Sequence, residues 1–290
     1  MEDPVNVYET DYLYAAKLAI HTGTLKPTRA TLPSTGKKVG AYSAPAVALD
    51  FNLDGDSNLL PIPLLTTKDM RKSFEKIVHE LLWFISGSTN VRDLQKNDVH
   101  IWDAWADKDG ELGPVYGAAW RRYEGKGGTV DQLARVIEGI REVVDNPEAS
   151  VGRRLIVNAW DPTRIGEMGL PPCHCMFQFL VYGDRLHLVL TQRSGDVFLG
   201  IPFNMVSYSL LLHMVASITG LKPGTFHHRI NDFHVYENHV EQLKEQWTRR
   251  PFETPHVRIA ERKEIDDFRF EDFELVGYKC HGPLRGEVAV

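Results

Sequence analysis

The chain has 290 residues, of which 43% are hydrophobic and 25% charged, and its formal net charge is −6. This composition is typical of a soluble globular protein with a sizeable core, and the acidic balance argues against a general nucleic-acid-binding surface. An anionic ligand would therefore have to be held by local arginines. No Gly/Ser run, charge block or repeat marks a linker, so we predict a single domain over residues 1–290.

Cysteine usage and the amino terminus bear on the cellular compartment. The three cysteines are an odd number and do not indicate a disulfide framework. The amino-terminal residues MEDPVNVYETDYLY are acidic and lack a signal-peptide core. No apolar run approaches the length that spans a bilayer. We therefore expect a cytoplasmic protein without a membrane partner.

Hydrophobic periodicity predicts two amphipathic helices and a set of strands. The helical spacing is carried first by Phe74, Ile77, Val78, Leu81, Leu82 and Ile85, and then by Leu133, Val136, Ile137, Ile140, Val143 and Val144. Strand composition follows in residues 154–160, 175–182, 185–192 and 227–236. Residues 204–219 are mostly apolar and predict a helix buried against the sheet, with Asn204 near its start. Strands joined by hairpins, with long helices around them, predict an α+β layered domain.

Cys173 is the first candidate for chemistry. Two prolines precede it and restrict the backbone to extended or turn conformations. A lone cysteine is more often an inert, buried small hydrophobe, and reactivity requires a positive charge nearby. Gly183-Asp184 has the composition of a hairpin turn, and pairing its two arms would make Arg193 a neighbour of Cys173.

A metal site at Cys173-His174-Cys175 is the alternative for the same segment. The spacing is too tight for the usual zinc knuckles, and no second Cys/His pair follows. We therefore predict no metal.

Residues 170–208 read LPPCHCMFQFLVYGDRLHLVLTQRSGDVFLGIPFNMVSY. This segment closely resembles the core signature of thymidylate synthase, and matching positions on both sides extend the resemblance over nearly the whole chain. The resemblance implies a layered mixed β-sheet packed with long helices, in a sheet-to-sheet homodimer. It also implies transfer of the one-carbon unit of 5,10-methylenetetrahydrofolate to C5 of dUMP through a Cys173 adduct, with reduction to dTMP and dihydrofolate.

The resemblance assigns roles to individual positions. The catalytic set is Cys173, Glu80, Tyr116, Arg193, Asp196 and Asn204. The dUMP-binding set is Arg29, Arg153, Arg154, Gln192, Arg193, Ser194, Asn204, His234 and Tyr236. The folate-binding set is Trp102, Asp196, Leu199, Gly200 and Val290.

Several of these assignments also have a physical reason. An ordinary helix glutamate is solvated, but Glu80 shares its turn with Ile77, Leu81 and Phe84, and a buried carboxylate with a raised pKa suits proton transfer.

Arg153 and Arg154 are adjacent before a predicted strand, where side chains alternate faces, so one subunit can hardly direct both at a ligand bound in its own sheet. The alternative is a pair of surface charges. In the family such arginines instead reach across the dimer into the partner's phosphate site, beside Arg193 and the counterpart of Arg29. Guanidinium groups bind phosphate in bidentate fashion.

Base and sugar recognition can be argued from side-chain chemistry. The amide of Asn204 offers one acceptor and one donor edge, which match N3–H and O4 of uracil, whereas relatives that act on cytosine nucleotides tend to carry aspartate. His234 and Tyr236 are two residues apart on a predicted strand and share a face, so together they could bind the sugar 3′-hydroxyl.

Two alternatives stay open. A dUMP 5-hydroxymethylase, or less favourably one for a cytidine nucleotide, would use water in place of hydride. The second is a non-catalytic nucleotide- or RNA-binding relative, although no nucleic-acid partner is expected. Departures from the family pattern at residues 27–40, 117–120 and 230–231 keep the choice of product open.

Overall fold

The computed structural model of the chain describes residues 6–56 and 58–289. Within these ranges it contains seven α-helices and eleven β-strands, joined by loops and short 3-10 turns. The helices are α1 (Val7–Thr22), α2 (Arg71–Ser86), α3 (Val91–Gln95), α4 (Tyr116–Arg121), α5 (Gln132–Asp145), α6 (Gly200–Thr219) and α7 (Val240–Thr248). The strands are β1 (Thr24–Lys26), β2 (Ala41–Asn52), β3 (Leu60–Pro61), β4 (Tyr123–Gly125), β5 (Gly128–Val130), β6 (Ile156–Asn158), β7 (His174–Tyr182), β8 (Arg185–Asp196), β9 (Lys222–Tyr236), β10 (His256–Ile259) and β11 (Phe273–Val276).

A mixed six-stranded sheet forms the centre of the molecule, in the order β1-β2-β9-β8-β7-β6. All its neighbouring pairs are antiparallel except β8 and β9, which are parallel. Because parallel neighbours need a crossover, β8 and β9 are joined by α6 and not by a hairpin. The α+β prediction is confirmed, but among the neighbouring strands of this sheet only β7 and β8 are joined by a tight hairpin.

The predicted hairpin between β7 and β8 is confirmed. Gly183 occupies the turn with φ of 61°, and Tyr182 pairs with Arg185. The register is shifted by a β-bulge between His174 and Met176. Such a bulge inserts an extra residue and bends the strand, and it lies directly after Cys173.

Helix α6 is the buried core helix of the fold and packs against β8 and β9. It begins at Gly200, four residues before the predicted start, so Asn204 lies in its second turn. By length and composition α6 could cross a membrane, contrary to the expectation that no apolar run is long enough, but 83% of its most apolar window is buried inside the protein.

The sheet has one covered face and one open face. On β8, Leu186, Leu188 and Leu190 are fully buried, whereas the alternate residues His187 and Val189 are only half-buried. The same alternation runs along β9. One face of the sheet therefore packs on the core, and the opposite face is not covered by any described helix.

Candidate active site

The candidate site forms where the start of β7, the end of β8 and the first turns of α6 meet. Cys173 precedes β7 and is half-buried. Its carbonyl oxygen accepts a 2.9 Å hydrogen bond from the backbone N–H of Arg193. The hairpin therefore places Cys173 beside Arg193, as the sequence predicts.

The guanidinium of Arg193 is fixed by the chain that leads into Cys173. It donates to the carbonyl oxygens of Pro172 and Pro171, both at 2.9 Å. Burial raises the pKa of the Cys173 thiol above its usual value, and the positive charge of Arg193 offsets only part of this rise. Arg193 thus favours the thiolate form that a nucleophile requires.

Tyr116 contacts the backbone of the same cysteine. The N–H of Cys173 donates to the Tyr116 hydroxyl oxygen at 2.7 Å. Tyr116 is only 2% exposed, and burial together with the negative charge of a Cys173 thiolate raises its pKa well above the usual range. Tyr116 is therefore a neutral hydroxyl next to the candidate nucleophile.

Glu80 is buried as the helical pattern predicts. Its Oε1 accepts a 2.7 Å hydrogen bond from Nε1 of Trp102. Burial raises the pKa of Glu80 to about 7, and the Trp102 hydrogen bond opposes this rise. A carboxyl group with this pKa can hold or release a proton near neutral pH. Trp102 is itself only 8% exposed.

A chain of buried amides and an imidazole runs from Asn204 towards the interior. The Oδ1 of Asn204 accepts from Nε2 of Gln192 at 3.0 Å, and Oε1 of Gln192 lies 2.7 Å from Nε2 of His228. The backbone carbonyl of half-buried Ser194 accepts a second hydrogen bond from the same Gln192 nitrogen, at 2.9 Å.

His174 and His228 did not receive roles from the sequence. The His174 ring lies between Tyr116 and Tyr208, with ring centroids 5.0 and 5.3 Å away. Burial lowers the pKa of His174 to about 4. The only signal for His174 in the sequence is its position between Cys173 and Cys175, which points to a metal ligand and not to a buried ring beside Tyr116.

The end of β9 places His234 and Tyr236 together, with ring centroids 5.1 Å apart. Burial raises the pKa of Tyr236, as do the charges of Asp196 and Cys173, while Arg29 lowers it. Asp196 at the end of β8 pairs with His234 of β9, at the same end of the sheet as Arg193. The predicted pair therefore lies at the site.

Asp196 lies at the turn between β8 and α6. Its Oδ1 accepts from the backbone N–H groups of Phe198 and Leu199 at 2.9 and 3.3 Å. Leu199 and Gly200 are half-buried at the start of α6. Asp196 thus shapes the turn that carries two of the predicted folate-binding positions.

The carboxyl-terminal segment packs against this turn. The carbonyl of Glu287 accepts hydrogen bonds from Nε2 of His239 at 2.9 Å and Nδ2 of Asn238 at 3.0 Å. The Nδ1 of His239 lies 3.9 Å from Asp196. The last predicted folate-binding position, Val290, lies outside the described residues.

Lys68 is a second residue that the sequence analysis missed. It is 7% exposed, and its Nζ donates to the carbonyl of Phe198 at 2.6 Å. Burial lowers the pKa of Lys68 to about 8. The Thr66-Thr67-Lys68 segment gave no pattern that separates this lysine from a solvated one.

Arg153 and Arg154 are not brought to Cys173 within one chain. Arg153 ends a 3-10 turn and precedes the strand as predicted, whereas Arg154, at the start of the strand predicted over residues 154–160, lies before β6, which begins at Ile156. Leu155 pairs with Phe179 of β7, and a strand rises about 3.3 Å per residue. The two exposed arginines therefore lie roughly 20 Å from Cys173, beside the far end of β7.

Among the described residues, no group of three or more His, Cys, Asp or Glu side chains is arranged to hold a metal ion.

The thymidylate synthase family model matches residues 10–290, essentially the whole chain. The chain therefore belongs to the thymidylate synthase family. Membership supports an enzyme of the thymidylate synthase type that transfers a one-carbon unit to dUMP, with methylenetetrahydrofolate as the co-substrate of the family.

Proposed function

We propose that the chain catalyses the reductive methylation of dUMP by 5,10-methylenetetrahydrofolate, giving dTMP and dihydrofolate. The observation that carries the proposal is the position of Cys173, whose carbonyl bonds the backbone of Arg193 and whose N–H bonds the Tyr116 hydroxyl. A cysteine held beside a guanidinium is the arrangement that covalent catalysis requires.

The chemical steps follow from this arrangement. The Cys173 thiolate adds to C6 of the uracil ring, and the electron pair makes C5 a carbon nucleophile. C5 then bonds the methylene carbon of the folate as the first of that carbon's two bonds to nitrogen breaks, and the electron pair of the broken bond stays on the nitrogen. Loss of the C5 proton and departure of the second tetrahydrofolate nitrogen leave an exocyclic methylene at C5. Hydride from tetrahydrofolate reduces this methylene, and the Cys173 thiolate leaves C6.

The proton transfers are assigned to the buried groups of the site. Glu80, with its pKa of about 7, can exchange a proton near the operating pH. The Tyr116 hydroxyl stays neutral because burial raises its pKa well above the usual range. We assign to these two groups, with Asn204, the charge at O4 and the proton at C5.

The substrate contacts are assigned to the remaining predicted residues. Asn204, held by Gln192, reads the uracil edge, and His234 with Tyr236 binds the sugar. Ser194 and the arginines bind the phosphate. Asp196, Leu199 and Gly200 contact the folate, and Trp102 forms a wall beside it.

A hydride acceptor must be kept from water, because water would convert the same methylene into a hydroxymethyl group. The packing of the carboxyl-terminal segment on His239, next to Asp196, supports closure over the folate. Exclusion of water by such closure protects a reactive intermediate.

The active unit is proposed to be a two-fold homodimer. The open face of the central sheet is half-buried and uncovered in the single chain, which suits a sheet-to-sheet interface. The position of Arg153 and Arg154, far from Cys173 in their own chain, supports their use in the partner's phosphate site.

Product analysis tests the proposed function. Purified protein is incubated with dUMP and 5,10-methylenetetrahydrofolate, and the nucleotide product is identified by mass spectrometry while dihydrofolate is followed by absorbance. We expect dTMP and dihydrofolate in equal amounts. A hydroxymethyl nucleotide formed without dihydrofolate would show that water, and not hydride, adds to the exocyclic methylene. Absence of any product would refute the proposed activity.

A further inference from the structure

His228 lies behind the candidate base-reading residue and has no role in the proposed chemistry. It is fully buried, as is nearly all of Gln192, which is 2% exposed, and of Asn204, which is 8% exposed. The three side chains form one hydrogen-bonded chain, with 2.7 Å between His228 and Gln192 and 3.0 Å between Gln192 and Asn204.

The orientation of the Gln192 amide is fixed by a backbone group. A carbonyl oxygen can only accept hydrogen bonds, and the carbonyl of Ser194 lies 2.9 Å from Nε2 of Gln192. The amide nitrogen must therefore face Ser194 and Asn204, and the amide oxygen must face His228. It follows that His228 donates, so that its proton is on Nε2.

The other nitrogen agrees with this tautomer. Nδ1 of His228 is buried and has no hydrogen-bond partner among the described residues, as expected for the unprotonated nitrogen of a neutral ring. Burial lowers the pKa of His228 to about 3, so the ring remains neutral at physiological pH.

The fixed amide of Gln192 in turn fixes Asn204. Because the NH₂ group of Gln192 faces Oδ1 of Asn204, a flipped Asn204 would place two N–H donors against each other. The unflipped amide keeps its oxygen on the Gln192 side and its nitrogen on the other.

We propose that His228 is a specificity-determining positioning residue: together with the Ser194 carbonyl it clamps Gln192, and so holds Asn204 in the orientation that accepts uracil and rejects cytosine. The inference rests on the proposed function, because it requires that Asn204 faces the base. Without the His228 donor, only the Ser194 carbonyl opposes rotation of Gln192, and the amide oxygen is left buried and unpaired.

The experiment compares equilibrium binding of dUMP and dCMP to the full chain by calorimetry. The variants are His228→Phe, which removes the donor, and His228→Gln, whose amide N–H can replace it. We expect the dUMP:dCMP affinity ratio to fall about tenfold in His228→Phe, the effect of one buried neutral hydrogen bond. In His228→Gln the ratio should stay within about twofold of wild type.

His213→Phe is the matched control. His213 is 1% exposed and makes one hydrogen bond, from Nε2 to the carbonyl of Pro61 at 2.9 Å. Its loss removes a buried histidine donor of the same kind away from Gln192. We expect reduced stability with an unchanged dUMP:dCMP ratio.

The outcomes separate the inference from the function on which it rests. A wild-type protein that binds dCMP as well as dUMP would refute uracil recognition and the inference with it. Preference for dUMP in wild type with an unchanged ratio in folded His228→Phe would refute the inference alone. Nitrogen NMR of the wild-type imidazoles does not depend on any variant. A proton on Nδ1 of His228 would refute the proposed positioning of Gln192 by His228, even if His228→Phe does not fold.

Discussion

Trp102 donates a hydrogen bond of 2.7 Å from its indole Nε1 to Oε1 of Glu80. Both side chains are buried, at 8% and 7% exposure. A hydrogen bond to the ionised carboxylate lowers its pKa, so Trp102 limits the rise that burial imposes on Glu80. Trp102 is thus linked to the proton chemistry of the site as well as to the proposed folate wall.

The first prediction concerns Trp102→Phe. The variant keeps an aromatic ring but loses the N–H donor, so the pKa of Glu80 should rise above about 7. A hydrogen bond to a charged group contributes about 1.5–3 kcal/mol, which corresponds to roughly one to two pH units. In the pH profile of kcat, we therefore expect the limb that reports ionisation of Glu80 to move to higher pH by that amount.

Trp105→Phe is the control for this prediction. The Trp105 ring lies 5.9 Å from that of Trp102, and its replacement leaves the bond to Glu80 intact. The limb should stay in place in this variant and disappear in Glu80→Gln. An unmoved limb in Trp102→Phe would contradict the assigned hydrogen bond.

The second prediction concerns stability and Glu80. Its pKa rises on folding from 4.5 to about 7, so between these values the folded state binds more protons than the unfolded state. The contribution of Glu80 to the free energy of unfolding therefore falls as pH rises through this window. The full difference is about 3 kcal/mol.

Glu80→Gln removes this titration. The free energy of unfolding is measured with denaturant for wild type and variant at several pH values. From about pH 4.5 to 7, the value for the variant should increase relative to that of wild type, and above this range the difference should stay constant. Glu75→Gln, an exposed position on the same helix, should follow wild type throughout. Parallel curves for Glu80→Gln and wild type would mean that Glu80 is not desolvated.

Much of the site could be predicted because it depends on local signals. The alternation of β7 and β8 and the glycine turn at Gly183 set the hairpin, and the hairpin alone brings Cys173 to Arg193. The helical period of α2 likewise placed Glu80 on the buried side.

The parts that were missed depend on contacts between distant segments. His228 meets Gln192 only because β8 and β9 are parallel neighbours, with Leu190 opposite His228, and no local pattern specifies this register. Helix α1 was missed because its buried face includes Glu9, whose charge is accommodated by backbone N–H groups of Thr66 and Thr67 at 2.7 and 2.8 Å.

The earlier start of α6 did have a local signal in the sequence. Proline is tolerated in the first turn of a helix, and Pro202 lies in the first turn of α6.

The third prediction tests the nucleophile. Cys173→Ser should lower kcat at least about 10³-fold, because a serine hydroxyl is not ionised near neutral pH as a thiolate is, and loss of a nucleophile has effects of this size. Calorimetry should show dUMP affinity largely retained. Cys175→Ser, two residues away, should keep most of the activity. Substantial turnover in purified Cys173→Ser would remove Cys173 from this role.

The fourth prediction tests the shared site. Cys173→Ala and the double variant Arg153→Ala, Arg154→Ala should each be inactive. In a heterodimer of the two, one site has both an intact cysteine and intact partner arginines. Random subunit exchange makes half of the dimers mixed, so about a quarter of wild-type activity should return. If exchange is verified by mass spectrometry and no activity returns, the arginines do not act across the interface.

The last prediction concerns Asn204→Asp and base choice. In the variant, a protonated or water-bridged carboxyl can satisfy cytosine, whose hydrogen-bonding pattern is the reverse of uracil's, while an ionised carboxyl would face the O4 lone pairs of uracil. A misplaced polar contact of this kind costs roughly 1–3 kcal/mol when buried, and Asn204 is 8% exposed. The ratio of kcat/KM for dUMP over dCMP should therefore fall by about one to two orders of magnitude. Competition between the two nucleotides measures this ratio in wild type and variant. A wild type that already prefers dCMP, or a ratio that does not move, would mean that Asn204 does not read the base.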